Sequence, residues 1–275
     1  MADMQESEIL KANIAALYSR AAPLYGQVGP GRFAYVGRGL VERLGIGEGA
    51  QVLDVAAGRG ANLFPAAEKV GPRGQVTGID LSEGMVRETA DEIARRDVRN
   101  AAVMQMDAEQ LTFDAASFDY ILCGFAIFFF PHLGRALAGF HRVLRPGGKL
   151  GISVANDRDP LSQWYGKHVT EYATHYHIPM RVGRGSLDFD EIPAHLVRAG
   201  FTKTELMREQ ADLPYASAQE WWDEKWTHGT RYALEHMTPE VLAQFKDEVF
   251  VRLAEEQQAG GIREVLQIQY HIATK

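Results

Sequence analysis

Short apolar segments alternate with amphipathic stretches between residues 49 and 155. Segments rich in β-branched and other apolar side chains predict strands, and the amphipathic stretches between them predict helices. Strands that alternate with helices build a parallel sheet covered by helices on both faces, so we predict a doubly wound α/β core. The predicted strands are Gln51–Ala56, Gln75–Asp80, Val103–Asp107, Phe118–Ala126 and Lys149–Ala155.

Two local signals place helix ends within this core. Ser82 precedes Glu83 and the apolar Met85, which is typical of a hydroxyl N-cap that opens an amphipathic helix. In the segment RVLRPGG, Pro146 and Gly147 predict the end of another helix. The core therefore has a helix directly after its second strand and another directly before its fifth.

The chain divides into three parts around this pattern. Residues 1–45 contain the predicted helices Glu8–Tyr18 and Phe33–Leu44, which we interpret as a cap over the ligand edge of the first strand. Residues 46–155 form the core, and residues 156–275 form the C-terminal half of the chain, on the substrate side of the core.

This last half begins with a predicted lid, residues 156–186, which ends in the basic and glycine-containing stretch Arg181–Gly185. A helical insert, residues 216–258, separates two segments of alternating polarity, which predict strands of an antiparallel sheet edge. The predicted helices of this half are Leu161–Tyr176, Asp190–Ala199 and Ala218–Glu256, and its predicted strands are Lys203–Ala211 and Val265–Ile272.

Composition narrows the class of protein. Hydrophobic residues make up 46% of the 275 positions and charged residues 24%, which is typical of a folded soluble protein and fits one enlarged domain. The net charge of −7 disfavours a nucleic-acid partner. No apolar run approaches the roughly 20 residues that cross a bilayer. The first ten residues lack signal-peptide features, and the lone Cys123 suits a reducing compartment, so we predict a cytoplasmic protein without a membrane partner.

Residues 52–60 read VLDVAAGRG, a predicted strand that runs into a glycine-rich turn before a helix at about Asn62. Such a turn lets a ligand approach the backbone, and the helix N-terminus offers free N–H groups. In a nicotinamide dehydrogenase the pyrophosphate would lie here, but a phosphate about 4 Å from Asp54 costs roughly 4 kcal/mol at an effective dielectric of 20. Ala56 also replaces the first glycine of the dinucleotide fingerprint. The turn therefore favours a ligand that carries an ammonium and a sulfonium.

Two further aspartates end the second and third predicted strands. Asp80 can accept hydrogen bonds from both hydroxyls of a ribose, and Asp107 can accept one from an adenine amine. Leu81, Met85 and Met106 can enclose the adenine ring. Each aspartate alone is explained equally well as a helix cap or turn residue. Together, the three carboxylates match the amino acid, ribose and adenine parts of S-adenosylmethionine.

The segments VLDVAAGRG, VTGIDLSEGM, MDAEQLTF, FDYILCGFAIFFF and RVLRPGGKL resemble, in order, the motifs of class I S-adenosylmethionine-dependent methyltransferases of the ubiquinone- and menaquinone-biosynthesis type. The resemblance covers roughly residues 45–155. It implies S-adenosylmethionine as the cofactor and a Rossmann-like, seven-stranded sheet whose last strand is antiparallel. It also matches Tyr18 and Tyr25 to an N-terminal element that closes over the cofactor, although packing within the cap explains both tyrosines as well.

From the three aspartates and this resemblance we predict a set of cofactor-binding residues: Tyr18, Tyr25, Asp54, Ala56, Gly58, Gly60, Asn62, Asp80, Leu81, Met85, Met106, Asp107, Ala108, Gly124 and Phe125.

The chain departs from many relatives after the fourth strand, where Phe128 and Phe129 stand in place of paired histidines. Aromatic rings that face a sulfonium stabilise its charge by about 0.5 to 2 kcal/mol. A phenylalanine cluster is also explained as ordinary core packing. The departure predicts an aromatic, dry site.

Methyl transfer requires an aligned nucleophile, exclusion of water and, for some nucleophiles, removal of a proton. On the predicted lid helix, His168, Glu171 and His175 share one face, so each is a candidate general base. Solvated or packed side chains explain them equally well. No spacing of residues predicts a metal site.

The insert concentrates tryptophans, with Trp222 and Trp226 four residues apart on one side of a helix. They predict either an anchor that docks the insert or a wall of the substrate pocket. Basic residues nearby, including Lys167, can hold a carboxylate or phosphate of the acceptor. The predicted substrate-binding residues are Phe128, Trp164, Tyr172, Arg181, Arg184, Trp222, Trp226, His228 and Arg231.

These observations predict transfer of a methyl group from S-adenosylmethionine to a C, O or N nucleophile of a small acceptor. The aromatic lid and insert favour an aromatic or isoprenoid-like acceptor, with or without an anionic group, in quinone-type or secondary metabolism. The alternative is a protein that binds the cofactor on the same fold without methylating, either a cyclase or a sensor.

Overall fold

The computed structural model describes residues 2–157, 159–179 and 187–275. Over these residues the chain forms one seven-stranded sheet with the strand order β3-β2-β1-β4-β5-β7-β6. The strands are β1 Gln51–Val55, β2 Gln75–Asp80, β3 Ala101–Gln105, β4 Phe118–Gly124, β5 Leu144–Asp157, β6 Lys203–Pro214 and β7 Arg263–Thr274.

The sheet is parallel except at its last strand. β1 pairs in parallel with β2 and β4, and the parallel pairs β2–β3 and β4–β5 extend the sheet on either side. β7 runs antiparallel to both of its neighbours, β5 and β6. The predicted Rossmann-like, doubly wound sheet with an antiparallel last strand is therefore confirmed. The strand order reverses beside β1, so the carboxyl ends of β1 and β4 flank the crevice where ligands of such sheets bind.

The helices over the described residues are α1 Ala2–Ala21, α2 Arg32–Leu44, α3 Leu63–Val70, α4 Glu83–Arg95, α5 Leu133–Val143, α6 Pro160–His175, α7 Ile192–Arg198, α8 Ala218–Lys225, α9 Arg231–Glu235 and α10 Pro239–Gln258. Apolar residues of α2 and α3 pack on one face of the sheet, and those of α5 and α7 pack on the other. A third cluster joins α6 to α8, α9 and α10. This third cluster builds a helical layer beyond the carboxyl ends of the strands.

Of the two predicted helix ends, one is confirmed and the other is wrong. The predicted N-cap is confirmed, since Ser82 Oγ accepts a hydrogen bond from the Met85 N–H at 3.2 Å. The predicted helix end at Pro146 and Gly147 is wrong, because α5 ends at Val143 and β5 already begins at Leu144. Proline excludes helical geometry for the residue before it, and Leu144 pairs with the start of β4, so the chain leaves the helix early.

Two other boundaries differ from the prediction. β3 ends at Gln105, so Asp107 lies in the loop after the strand and not within it. The predicted helical block Ala218–Glu256 is divided into three helices, α8, α9 and α10. Along the residues that the structure describes, no helix combines the length and apolar character needed to cross a membrane.

Candidate active site

The turn after β1 has a backbone that L-residues rarely adopt. Ala56, Gly58 and Gly60 have φ angles of 52°, 53° and 82°. Glycine takes such angles without strain, whereas the alanine adopts them at a cost, which is typical of ligand sites. A Cβ on Gly60 would lie 2.5 Å from the Phe64 ring, so close packing against α3 also requires glycine there. The turn is therefore fixed in shape by both its backbone and its packing.

Asp80 at the end of β2 is held by this turn. The Gly58 N–H donates to Asp80 Oδ2 and the Ser82 N–H donates to Oδ1, both at 2.8 Å. Burial raises the pKa of Asp80, although these backbone donors act in the opposite direction. Each carboxylate oxygen keeps lone-pair capacity beyond the bond it accepts. The carboxylate is thus oriented and remains able to accept hydrogen bonds from a ligand.

Asp107 is tied to the N-terminal helix by a residue that sequence reasoning missed. Lys11 Nζ lies 2.8 Å from Asp107 Oδ2 and 2.7 Å from Glu109 Oε2. All three side chains are mostly or fully withdrawn from solvent. The signal was available in the spacing, since Lys11 precedes Ile14 by three residues and Tyr18 by seven, on one face of α1.

Further contacts hold α1 over the carboxyl ends of the strands. Ser19 Oγ lies 2.8 Å from Ser82 Oγ, and Arg59 Nη1 donates to the Ala22 carbonyl at 2.6 Å. Arg20 forms an ion pair with Glu235 at the end of α9. The N-terminal segment is thereby attached both to the core and to the helical insert.

A narrow cavity lies beneath α1 at the ends of β1, β2 and β4. The predicted cofactor residues that line it are Tyr18, Tyr25, Ala56, Gly58, Asp80, Leu81, Met85, Met106, Asp107, Ala108, Gly124 and Phe125. Lys11, Ile14, Ala126, Phe129, Phe130 and Pro131 complete the lining. We call this the smaller cavity.

Asp54, Gly60 and Asn62 do not line the smaller cavity but lie under its floor. Asp54 is fully buried, and Asn62 Nδ2 donates to its Oδ1 at 3.0 Å. Burial raises the pKa of Asp54 to about 7. A Cβ on Gly124 would come within 2.8 Å of Asn62 Nδ2, so this pair packs tightly beneath the end of β4. Asp54 and Asn62 therefore support the turn from below.

A larger cavity of about 910 Å³ opens between the core and the helical insert. Its walls come from α1, α2, α6, α8 and the loops beside them. Four aromatic side chains line both cavities, namely Tyr18, Tyr25, Phe125 and Phe129. The Tyr18 ring contacts those of Tyr25 and Phe129, with centroids 5.9 and 5.5 Å away. The two cavities therefore meet at a set of aromatic rings.

A buried cluster of charges stands at the wall of the larger cavity. Arg32 Nε lies 3.0 Å from Glu224 Oε1, and Arg32 also pairs with Glu264. Lys225 pairs with both of these glutamates, and the Tyr215 hydroxyl lies within hydrogen-bond distance of both, so that it donates to one of them at a time. Although burial acts to raise it, the Lys225 and Arg32 charges hold the pKa of Glu224 at about 2. Two cations and two carboxylates thus balance one another in this wall.

His228 lines the larger cavity next to this cluster. Burial lowers its pKa to about 3, aided by the charges of Lys225 and Arg32 and opposed by Glu224. Its Nδ1 lies 3.5 Å from Thr230 Oγ1. A Cβ on the adjacent Gly229 would lie 3.9 Å from Tyr18 Oη. A neutral imidazole is therefore placed close to the junction of the two cavities.

Comparison with known proteins agrees with this geometry. A family model described as a methyltransferase domain matches residues 52–148. Nocamycin O-methyltransferase of Saccharothrix syringae is 32% identical over 92% of this chain and 95% of its own length. The chain belongs to the class I S-adenosylmethionine-dependent methyltransferases.

Other relatives of this methyltransferase match shorter stretches. Aklanonic acid methyltransferase DauC of Streptomyces sp. is 39% identical over 54% of this chain and 68% of its own length. The demethylmenaquinone methyltransferase of Listeria monocytogenes is 37% identical over 38% of this chain and 44% of its own length. These matches confirm the resemblance to the quinone-biosynthesis type over the core.

Solved structures share the fold. The YcgJ protein of Bacillus subtilis has a TM-score of 0.59 at 20% identity, covering 88% of this chain and 98% of its own. The [4+2]-cyclase SpnF has a TM-score of 0.56, also at 20% identity, with 88% and 81% covered. The fold is therefore shared with a cyclase, but the relative that matches over nearly its whole length is named as a methyltransferase, which favours methyl transfer.

The residues of the smaller cavity fit S-adenosylmethionine, the cofactor of this family. In the roles predicted for these lining residues, Asp80 would offer carboxylate oxygens to ribose hydroxyls, and Met85 and Met106 would offer apolar walls to the adenine ring. The cavity volume of about 90 Å³ is small. Pockets for drug-sized ligands begin at roughly 300 Å³. The cavity, which Tyr18 and Tyr25 help to line, must therefore widen when the cofactor binds.

The predicted substrate residues of the methyltransferase fall into three sets. Phe128 and His228 line the larger cavity. Trp164, Tyr172, Trp222, Trp226 and Arg231 do not line it. Arg181 and Arg184 lie outside the described residues.

Of the two alternatives for the tryptophan pair, an anchor of the insert and a wall of the substrate pocket, the structure favours the anchor. Trp221 lines the larger cavity, whereas Trp222 packs near Phe250, with ring centroids 6.2 Å apart. Trp222 therefore serves as an anchor of the insert. Arg231 is bound to Glu235 and to the Arg20 carbonyl, so it joins the insert to α1.

The three candidate bases do not reach the larger cavity. The His168 ring stacks on Phe245 of α10 with centroids 5.1 Å apart, and its Nε2 lies 3.0 Å from Glu248. Glu171 and His175 are exposed. The opposite face of α6 carries the residues that line the cavity, Ser162, Tyr165, Gly166, Val169 and Thr170. We therefore withdraw His168, Glu171 and His175 as candidate bases.

Sequence reasoning also missed the buried charge cluster, because its members come from α2, α8 and β7 and show no common spacing. No group of three or more His, Cys, Asp or Glu side chains suited to a metal ion occurs within the described parts of the chain.

Proposed function

We propose that this methyltransferase transfers a methyl group to an oxygen of a small, ring-bearing acceptor in the larger cavity, and that the reacting oxygen belongs to a carboxylate. One observation carries the proposal: a cavity of about 910 Å³ meets the cofactor cavity at the four shared rings of Tyr18, Tyr25, Phe125 and Phe129. Its volume falls within the range of roughly 300 to 1,000 Å³ that small-molecule sites occupy.

S-adenosylmethionine supplies a methyl group on a positively charged sulfur, which an oxygen nucleophile displaces. The protein's part is alignment and exclusion of water. The aromatic junction supports both, because its rings border the passage between the cavities and give it an apolar lining. Rings at the junction also stabilise positive charge by about 0.5 to 2 kcal/mol.

The relatives favour oxygen as the nucleophile. The protein that matches over 95% of its length is named an O-methyltransferase, and a second relative is named for an acid. We therefore propose an oxygen nucleophile for this chain as well.

The chemistry of the cavity walls favours an oxygen that arrives ionised. His228 has its pKa lowered to about 3 by burial, which makes it a poor base for a hydroxyl. Glu264 is bound by Arg32 and Lys225. Asp190 pairs with Arg208, and Asp188 accepts the Asp190 N–H. An acceptor carboxylate is already ionised and needs no general base. An acceptor phenol would need one of these groups to remove its proton.

The test is incubation with S-adenosylmethionine labelled in its methyl group and a panel of aromatic carboxylic acids, each with a matched phenol of the same ring system. We expect label in the acids, and we expect dilute alkali to release it as methanol, since esters hydrolyse and aryl ethers do not. The Asp80→Ala variant serves as the control for cofactor-dependent transfer. Alkali-stable label found only in the phenols would contradict the carboxylate, and no transfer to either class would contradict the acceptor class.

A further inference from the structure

The sheet face that borders the larger cavity changes from apolar to polar at the end of β5. Ile152 and Val154 are fully buried beneath α5 and α7. Asn156, the next residue on that face, is half-buried and lines the cavity. On the neighbouring β7, Gln269 pairs with Val154, so it points to the same face, and it lines the cavity as well. Two amide side chains thus form part of the cavity wall.

The carboxamide of Asn156 is available to a ligand. Within the described residues this side chain makes no hydrogen bond. Its polar atoms are not among the unpartnered atoms that are shielded from solvent, so a molecule in the cavity can reach them. A carboxamide has both N–H donors and an oxygen acceptor. Asn156 can therefore donate to a ligand oxygen and accept from a ligand hydroxyl.

The carboxamide of Gln269 is held in one orientation. Its Nε2 donates to Asp190 Oδ1 at 3.4 Å, and its Oε1 lies 3.0 Å from His271 Nε2. The reverse orientation would place the amide oxygen against the Asp190 carboxylate, where neither group can donate. Burial lowers the pKa of His271 to about 4, so the imidazole is neutral and donates its one proton to Gln269. The second N–H of Gln269 has no partner within the described residues and remains for a ligand.

The groups around these amides favour a hydroxyl on the ligand. Asp190 lines the cavity too, and its charge is balanced by Arg208, 3.1 Å away. A second carboxylate on the acceptor would meet the Asp190 carboxylate, and a carbonyl oxygen could only accept. A hydroxyl accepts the N–H of Gln269 and donates to the Asn156 oxygen, so it satisfies both amides.

The two amides lie beyond the junction of the cavities. Phe125, which lines both cavities, donates its backbone N–H to the Ser153 carbonyl at 2.9 Å. Asn156 follows Ser153 by three residues on β5, which places it about 10 Å further along the strand. Phe128 and Phe189 add aromatic walls to the same cavity, with ring centroids 5.9 Å apart. A rigid ring system that begins at the junction can therefore present its far end to the amides.

We propose that Asn156 and Gln269 are specificity-determining residues that bind a hydroxyl group of the acceptor, at the end of its ring system remote from the methylated group. The acceptor class is then a hydroxylated, ring-bearing carboxylic acid. The carboxylate in this description rests on the proposed function, whereas the recognition of the hydroxyl does not.

The test compares three probes that have the same fused rings and the same charge. The first, 6-hydroxy-2-naphthoate, carries a hydroxyl remote from its carboxylate, and 2-naphthoate lacks that hydroxyl. The third, 6-methoxy-2-naphthoate, carries an oxygen that accepts hydrogen bonds but cannot donate one. Calorimetry at neutral pH uses the full chain saturated with S-adenosylhomocysteine. The dissociation constant should be about fivefold lower for the hydroxy probe than for either other probe, the effect of about one hydrogen bond.

Matched variants separate recognition from packing. Asn156→Leu and Gln269→Leu each replace an amide by an apolar side chain of similar size, and each should bring the preference toward unity. Gln267→Leu is the control, because Gln267 pairs with Asn156 on β7 but donates to Gln210 at 2.8 Å and does not line the cavity. The control should keep the preference. Asn156→Leu should not lower Tm, since its amide has no partner within the described residues to lose.

The outcomes are distinct. Equal affinity of the wild-type protein for the hydroxy and unsubstituted probes, or no binding of the hydroxy probe, would overturn the proposal. A preference that survives in both Asn156→Leu and Gln269→Leu would overturn it as well, and so would a methoxy probe that binds as tightly as the hydroxy probe. A preference that depends on these amides would support hydroxyl recognition even if no probe is methylated, and in that case only the proposed carboxylate chemistry fails.

Discussion

Replacement of Asp54 by asparagine tests whether the buried carboxyl group beneath the turn after β1 has a raised pKa. Asp54 is fully buried, and burial raises its pKa from 3.8 to about 7. The folded protein therefore retains a proton that the unfolded chain releases above about pH 4. At 1.36 kcal/mol for each pH unit, a difference of about three units corresponds to about 4 kcal/mol.

The sign follows from the direction of the shift. A raised pKa in the folded state contributes stability that is fully present below the unfolded pKa and is lost as the pH rises through 7. Asparagine at position 54 stays neutral at every pH and can still accept the hydrogen bond from Asn62. The Asp54→Asn variant should therefore gain stability relative to the wild type as the pH rises from 4.5 to 8.

Urea denaturation of the ligand-free proteins at pH 4.5, 6 and 8 measures this effect. The difference in unfolding free energy between variant and wild type should increase by up to about 4 kcal/mol across this range. Taking the difference cancels the titration of carboxylates that do not interact with Asp54, and Asp80 is the one carboxylate named as interacting with it. A difference that stays constant from pH 4.5 to 8 would refute a raised pKa at Asp54.

Three further substitutions test the cofactor cavity. Asp80→Ala should weaken S-adenosylmethionine binding by at least about 1.5 kcal/mol, because a charge-assisted pair of ribose hydrogen bonds is lost, and unchanged affinity in calorimetry would remove Asp80 from the site. Gly58→Val should abolish cofactor binding, since the position has a φ of 53° and its Cβ would lie 3.5 Å from Tyr25. Circular dichroism checks that the variant is folded, and wild-type affinity in the folded variant would refute the role of the turn. Lys11→Met should lower the unfolding free energy, measured by urea denaturation, by about 3 kcal/mol, because it leaves the Glu109 carboxylate buried without its cation. A change below about 1 kcal/mol would show that the Lys11–Glu109 pair contributes little to stability.

The sheet and the grouping of most predicted cofactor residues around one cavity were predictable because their signals are local. The geometry of β1 and of the turn at Gly58 is specified by residues that are neighbours in the sequence. The order of the carboxyl ends then follows from the rules for parallel sheets, which bring Asp80 and Asp107 to one edge. Asp54 shows the limit of this reasoning, since its side chain is buried against Asn62 and does not line the smaller cavity.

The larger cavity was less predictable because helix faces are chosen by tertiary contacts. Periodicity placed His168 and Glu171 on one face of α6, but it could not show that His168 would stack on α10 while Glu171 stays exposed. The tryptophans of α8 posed the same question, because Trp221 and Trp222 both belong to the third apolar cluster and only Trp221 also borders the larger cavity. The buried charge cluster arises only when distant segments meet.

A crystal structure with S-adenosylhomocysteine tests the central claim most directly. We expect the ribose hydroxyls on the Asp80 carboxylate, the adenine between Met85 and Met106, and the sulfur directed toward the larger cavity at Phe125 and Phe129. A sulfur atom that faces away from the larger cavity, or a ligand bound outside the smaller one, would contradict the account.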